Sequence, residues 1–124
     1  MKKVIALVAL VFGIMISAQA QTSNKTISLE QTKGEFTQKQ VTVDAGTYVF
    51  KINNNNVGTD VGFVLVKKGQ DPSNPKNHIK TAYVTEVVKN NTTGQSNPTT
   101  LEKGEYIYFC PLNKTSTDNV LIVK

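Results

Sequence analysis

The chain has 124 residues, of which 14 are lysine and none is arginine, and its formal net charge at pH 7 is +5. Without arginine it lacks the side chain suited to bidentate phosphate recognition, and beyond the first three residues the only adjacent lysines are Lys67 and Lys68, so nucleic-acid binding is not expected. A single cysteine, Cys110, excludes a disulfide within the chain.

The first twenty residues are typical of a secretory signal peptide. Lys2 and Lys3 precede the apolar run from Val4 to Ile16, and the small-residue site Ala18-Gln19-Ala20 follows it. A helix of this run would be about 20 Å long at about 1.5 Å per residue, shorter than the roughly 30 Å hydrocarbon core of a bilayer. We therefore expect residues 1–20 to be removed and residues 21–124 to form one periplasmic or secreted domain without a membrane anchor.

Short runs of β-branched and aromatic residues fill the remainder, and no segment shows sustained helical spacing. Polar segments rich in Asn, Gly and Pro are predicted as loops at residues 53–60, 68–79 and 89–98, and the second has room for a short helical turn. About eight strands in this length predict an all-β, two-sheet sandwich with Greek-key connections. The predicted strands are residues 25–31, 36–43, 47–53, 61–67, 81–88, 99–101, 105–110 and 120–123.

Three segments carry a resemblance to a known family. They are the hairpin from Ala45 to Asn53, the apolar strand from Val61 to Leu65, and the final pattern Gly-x-Tyr-x-x-x-Cys-Pro from Gly104 to Pro111. Together they resemble the cupredoxin domains of the plastocyanin and pseudoazurin type. The resemblance implies a cupredoxin-like β-sandwich in which a cysteine ends the penultimate strand.

The resemblance also implies where copper ligands would lie, since copper in that family is held by one cysteine, two histidines and a methionine. Here only the cysteine is present, as Cys110. The other positions carry no such ligand: the first histidine aligns with Val61 or Asp60, the second with Asn113 or Thr115, and the methionine with Asp118 or Asn119. We therefore expect no metal, and no copper cofactor, at the former site.

Neither of the two residues best suited to metal or nucleophilic chemistry has the surroundings that such chemistry needs. His78, the only histidine, lies in the 68–79 loop, which we expect at the end of the sandwich opposite Cys110. Cys110 has no cation or base beside it in the sequence, so we interpret it as a buried residue at a strand end. We therefore do not expect an enzyme.

The interpretation that the sequence favours is a copper-free binding or accessory module, a monomer that recognises an unidentified protein or small ligand. Loops on a rigid sandwich are the usual place for recognition. Two alternatives stay open: a copper protein with a non-standard site around Cys110, and a purely structural secreted domain. The candidate binding residues lie in two loops at the former metal end: Asn54, Asn55, Asn56, Thr59, Asp60, Leu112, Asn113, Lys114 and Thr115.

Overall fold

The computed structural model describes residues 25–115 and 119–124; the predicted signal peptide and Asp118 lie outside these ranges. No α-helix occurs in the described ranges, but two short 3-10 turns do, at Pro75–Asn77 and Lys80–Ala82. The strands are β1 (Lys25–Thr32), β2 (Glu35–Phe36), β3 (Gln40–Val43), β4 (Gly46–Asn54), β5 (Val64–Lys67), β6 (Thr93–Gln95), β7 (Thr99–Leu101), β8 (Gly104–Phe109) and β9 (Asn119–Val123).

The strands form two sheets, as the all-β prediction requires. The first has the order β3-β9-β8-β5, with β3 and β9 parallel and the other pairs antiparallel. The second has the order β2-β1-β4-β6, with β7 also pairing with β4, and β1 runs parallel to β4. No helix in the described part of the chain is long and apolar enough to cross a membrane.

The core lies between the sheets, and β4 and β9 show the alternation of more and less buried side chains that directs one face of a strand toward it. In β4 the residues Tyr48, Phe50 and Ile52 are buried on one face, as the sequence pattern predicts. Aromatic rings join the two layers: Phe36 of β2 packs edge-on against Tyr108 of β8, with ring centroids 5.0 Å apart. These contacts confirm a sandwich closed around an aromatic core.

Three strand predictions differ from the structure. The predicted strand 36–43 divides into β2 and β3, which belong to different sheets, so the chain changes layers between them. The predicted strand 61–67 is regular only from Val64, although Val61 forms an isolated bridge with Val88. The predicted strand 81–88 is a 3-10 turn followed by isolated bridges, and β6 occurs inside the predicted loop 89–98. A short helical turn does form in the 68–79 loop.

Raising the pH from 9 to 12 should destabilise the wild type more steeply than a Tyr108→Phe variant. Burial raises the pKa of Tyr108 to about 12, from an ordinary value of 10.0. The folded state holds the Tyr108 proton more tightly than the unfolded state does. The contribution of this proton to the free energy of unfolding is therefore complete below pH 10. It is lost as the pH rises through about 12, at up to about 1.4 kcal/mol per pH unit. Urea midpoints across this range measure the effect, and equal slopes for the two proteins would refute it.

Candidate functional site

Cys110 follows β8 directly and is a buried free cysteine, 4% exposed, as the sequence predicts. Because Phe109 pairs with Val64, the next residue, Cys110, lies beside Gly62. Its Sγ accepts a hydrogen bond from the Gly62 N–H at 3.3 Å and from the Asn113 N–H at 3.1 Å. The sulfur is therefore held by backbone donors from two different loops.

This sulfur is one member of a closed ring of hydrogen bonds. The Gln31 Nε2 donates to the Gly62 carbonyl at 2.8 Å, and the Asn113 Nδ2 donates to the Gln31 Oε1 at 3.1 Å. With the two bonds to Cys110 Sγ, the sequence of contacts runs from Cys110 through Gly62, Gln31 and Asn113 and back to Cys110. Gln31 is fully buried, and because a buried amide without partners is costly, the ring satisfies a strong requirement of the fold.

Asn113 is the member that ties the ring to the turn after β1. Its Nδ2 also donates to the Thr32 carbonyl at 2.9 Å, and its Oδ1 accepts from the Gly34 N–H at 2.9 Å. The side chain is 6% exposed. Asn113 therefore joins two parts of the protein. Because it is buried, the prediction that it lies on an exposed recognition surface is wrong.

The position predicted for the first histidine is occupied by a fully buried valine. Val61 exchanges two backbone hydrogen bonds with Val88, of 2.9 and 2.8 Å. Asp60, the alternative in the shifted register, is half-buried. The structure thus brings positions 61, 110 and 113 together around Gly62, and the side chains at 61 and 113 are an aliphatic group and an amide.

The loop between β4 and Val61 is held by the last residue of β4, Asn54. Asn54 is fully buried, and its Nδ2 donates to the carbonyls of Thr59 and Val88 at 2.8 and 3.0 Å. Its Oδ1 accepts from the Val57 N–H at 3.1 Å. Asn54 is therefore a structural residue and not a surface contact, which corrects its place among the candidate binding residues.

The remaining candidate residues are mostly accessible. Asn55, Asn56 and Thr59 are exposed in the first loop, and Leu112 and Lys114 are exposed in the second. Thr115 is half-buried, and its hydroxyl accepts from the Cys110 N–H at 3.1 Å.

His78 lies elsewhere than the sequence suggests. Its backbone bridges Val66 because the loop turns back along β5, and its ring approaches the ring of Phe109, the residue before Cys110, at 6.1 Å between centroids. The Nε2 bonds to the Pro72 carbonyl and the Nδ1 to the Tyr83 hydroxyl, both at 2.7 Å. A carbonyl only accepts, so Nε2 carries a proton, and neither ring nitrogen offers a free lone pair.

The residues around Cys110 do not fit a type-1 copper centre. Such a centre combines a thiolate with two imidazoles. Here two backbone N–H groups contact the sulfur, and positions 61 and 113 carry an aliphatic side chain and a carboxamide in place of imidazoles. Within residues 25–115 and 119–124, no group of three or more His, Cys, Asp and Glu side chains is arranged to hold a metal ion.

Residues 3–123 match the family model described as a cupredoxin-like domain. The fold is similar to that of auracyanin B, with a TM-score of 0.64 and 20% identity, covering 85% of this chain and 92% of that chain. It is also similar to auracyanin A, a "blue" copper protein from Chloroflexus aurantiacus, with a TM-score of 0.61 and 22% identity over 82% of this chain and 100% of that chain. No curated protein matches the sequence.

Proposed function

This chain belongs to the cupredoxin-like domain family, and from that premise we propose that it is an exported, copper-free binding or accessory module and not an electron carrier or an enzyme. The observation that carries the proposal is the hydrogen-bonded ring of Cys110, Gly62, Gln31 and Asn113. It fills the place beside the cysteine with amide groups whose hydrogen bonds are already made.

Copper binding at this place would require the ring to open. Moving Asn113 away from its partners would leave the buried Gln31 Oε1 without its donor. Each buried polar group left without a partner costs about 1–3 kcal/mol. A metal would gain only one soft ligand, Cys110, in return.

Recognition in this proposal belongs to the exposed polar residues beside the ring. Asn55, Asn56 and Thr59 offer hydrogen-bond donors and acceptors on a loop that Asn54 fixes from inside. A loop held in one conformation loses little entropy when it binds, which favours a specific partner.

The second candidate function is copper handling through Cys110. It is favoured by the retained buried sulfur with its two N–H donors, because hydrogen bonding around a cysteine sulfur is one means of tuning a copper site. In this case the ligands other than sulfur would be oxygen or nitrogen groups of the loops, or groups of a second chain.

Copper(II) added to the exported wild-type protein should give no intense blue thiolate absorption, and no stoichiometric copper should remain after dialysis. The physical reason is that one thiolate without imidazoles is an incomplete ligand set. Absorption spectra and metal analysis measure the result, with Cys110→Ala as the matched control. One copper retained per wild-type chain, with a band that Cys110→Ala abolishes, would overturn the proposal in favour of the second candidate.

A further inference from the structure

A groove opens where two paired segments differ in length. The Val61 backbone pairs with Val88, and the Leu65 carbonyl accepts from the Ile79 N–H at 2.9 Å. Between these two contacts one segment has the ten residues 79–88 and the other has only the five residues 61–65. The longer segment, which includes the 3-10 turn Lys80–Ala82, bends away and leaves a groove of about 320 Å³ beside β5.

The groove is apolar and accessible. In the described part of the chain, the exposed large hydrophobic side chains are Val87 and Leu112, each 50% exposed. Both line this groove. Clustering of exposed apolar side chains marks interaction sites more than single exposed residues do. The walls between them include Phe63, Val64, His78 and Tyr83.

The floor of the groove also offers backbone hydrogen-bonding groups. Val61 and Leu65 use theirs toward the 79–88 segment, while Gly62 uses its N–H and carbonyl toward Cys110 and Gln31. Phe63 lies midway between Val61 and Leu65 and lines the groove, and strand alternation assigns its N–H and carbonyl to the side of the 79–88 segment. Within residues 25–115 and 119–124 neither of these groups has a hydrogen-bond partner.

We propose that this groove binds an extended segment of a partner protein, with one apolar side chain between Val87 and Leu112 and backbone pairing to Phe63. Unpaired backbone groups beside an apolar pocket are what an extended peptide uses when it adds to a sheet. This inference rests on the proposed function, since it takes the protein to be a binding module.

The size of the groove argues against a second copy of this chain as the occupant. A stable dimer buries roughly 800 Å² on each partner. A cavity of about 320 Å³ is at the lower end of the roughly 300–1,000 Å³ of ligand pockets, so it holds one or two side chains and not a whole face.

The test titrates the isotope-labelled exported protein with acetylated, amidated pentapeptides in which Leu, Ile, Met, Phe or Tyr is flanked by two threonines on each side. At least one should give saturable shifts of the Phe63, Val87 and Leu112 amides. The same peptide with serine at the centre, or with a methylated central amide, should bind at least tenfold more weakly, because it lacks the apolar anchor or the backbone donor.

Val87→Asp and, independently, Leu112→Asp should each raise the Kd at least tenfold, while Thr42→Asp, an exposed position on β3, should leave it unchanged. Lack of saturation with all five peptides, or equal affinity in the groove variants, overturns the inference. Concentration-dependent dimers that Val87→Asp abolishes would also overturn it, in favour of a second copy. The copper measurement tests the copper-free function and the peptide titration tests the groove. Because the two results are independent, failure of one proposal is distinguished from failure of the other.

Discussion

Copper(II) should give an intense blue thiolate absorption in a variant that combines Val61→His with Asn113→His. The backbones of positions 62 and 113 donate to the Cys110 sulfur at 3.3 and 3.1 Å, so imidazoles at 61 and 113 start close to the thiolate. One thiolate and two imidazoles are the minimum set for this kind of site, and the axial bond is long and weak. We expect about one copper per chain, measured by absorption and metal analysis.

The controls separate coordination from non-specific binding. Each single histidine variant should lack the band because its ligand set is incomplete, and Cys110→Ser in the double variant should abolish it. Asp60→His and Thr115→His test the alternative registers. If every combination fails to give a thiolate band, the alignment of positions 61, 110 and 113 with copper ligands is wrong.

Gln31→Leu should destabilise the protein by about 3 kcal/mol, since leaving each buried polar partner unpaired costs about 1–3 kcal/mol. The substitution nearly keeps the volume of the side chain but leaves the Gly62 carbonyl without its donor and one Asn113 amide hydrogen without its acceptor. Urea unfolding measures the change as a lower midpoint at an unchanged slope.

Gln40→Leu, at an exposed position of β3, is the matched control and should change the stability by less than about 0.5 kcal/mol. Combined with Asn113→Ala, Gln31→Leu should be clearly non-additive, because both residues belong to one hydrogen-bond ring. Additive effects, or a Gln31→Leu protein as stable as the wild type, would show that the ring does not stabilise the fold.

The strands of the sandwich could be predicted because the pattern that identifies a strand lies within the strand's own sequence. Alternation in β4 identified the buried face of Tyr48, Phe50 and Ile52, and the last two strands appear within one residue of their predicted limits. The meeting of positions 61, 110 and 113 followed from the family resemblance. The prediction of a strand at residues 81–88 was wrong because β-branched residues indicate an extended chain without indicating which strand it pairs with. In the structure this segment makes two isolated bridges, one to Ser96 and one to Val61.

Gln31 is the site residue that the sequence reasoning missed, although a signal was present. It follows Ile27 and Leu29 at two-residue spacing, so strand alternation directs it to the buried face of β1. An amide in that position needs buried partners. Which partners it finds depends on Asn113, more than eighty residues further along the chain, and no local pattern contains that pairing.

The parallel pairing of β3 with β9 has a kinetic consequence. Gln40 pairs with Val120, so β3 waits for a neighbour about 80 residues later in the chain, and the loop between them must close before the first sheet is complete. Contacts of such long range slow folding. We therefore expect β3, the edge strand of the first sheet, to pair late in folding, after the chain up to β9 is in place.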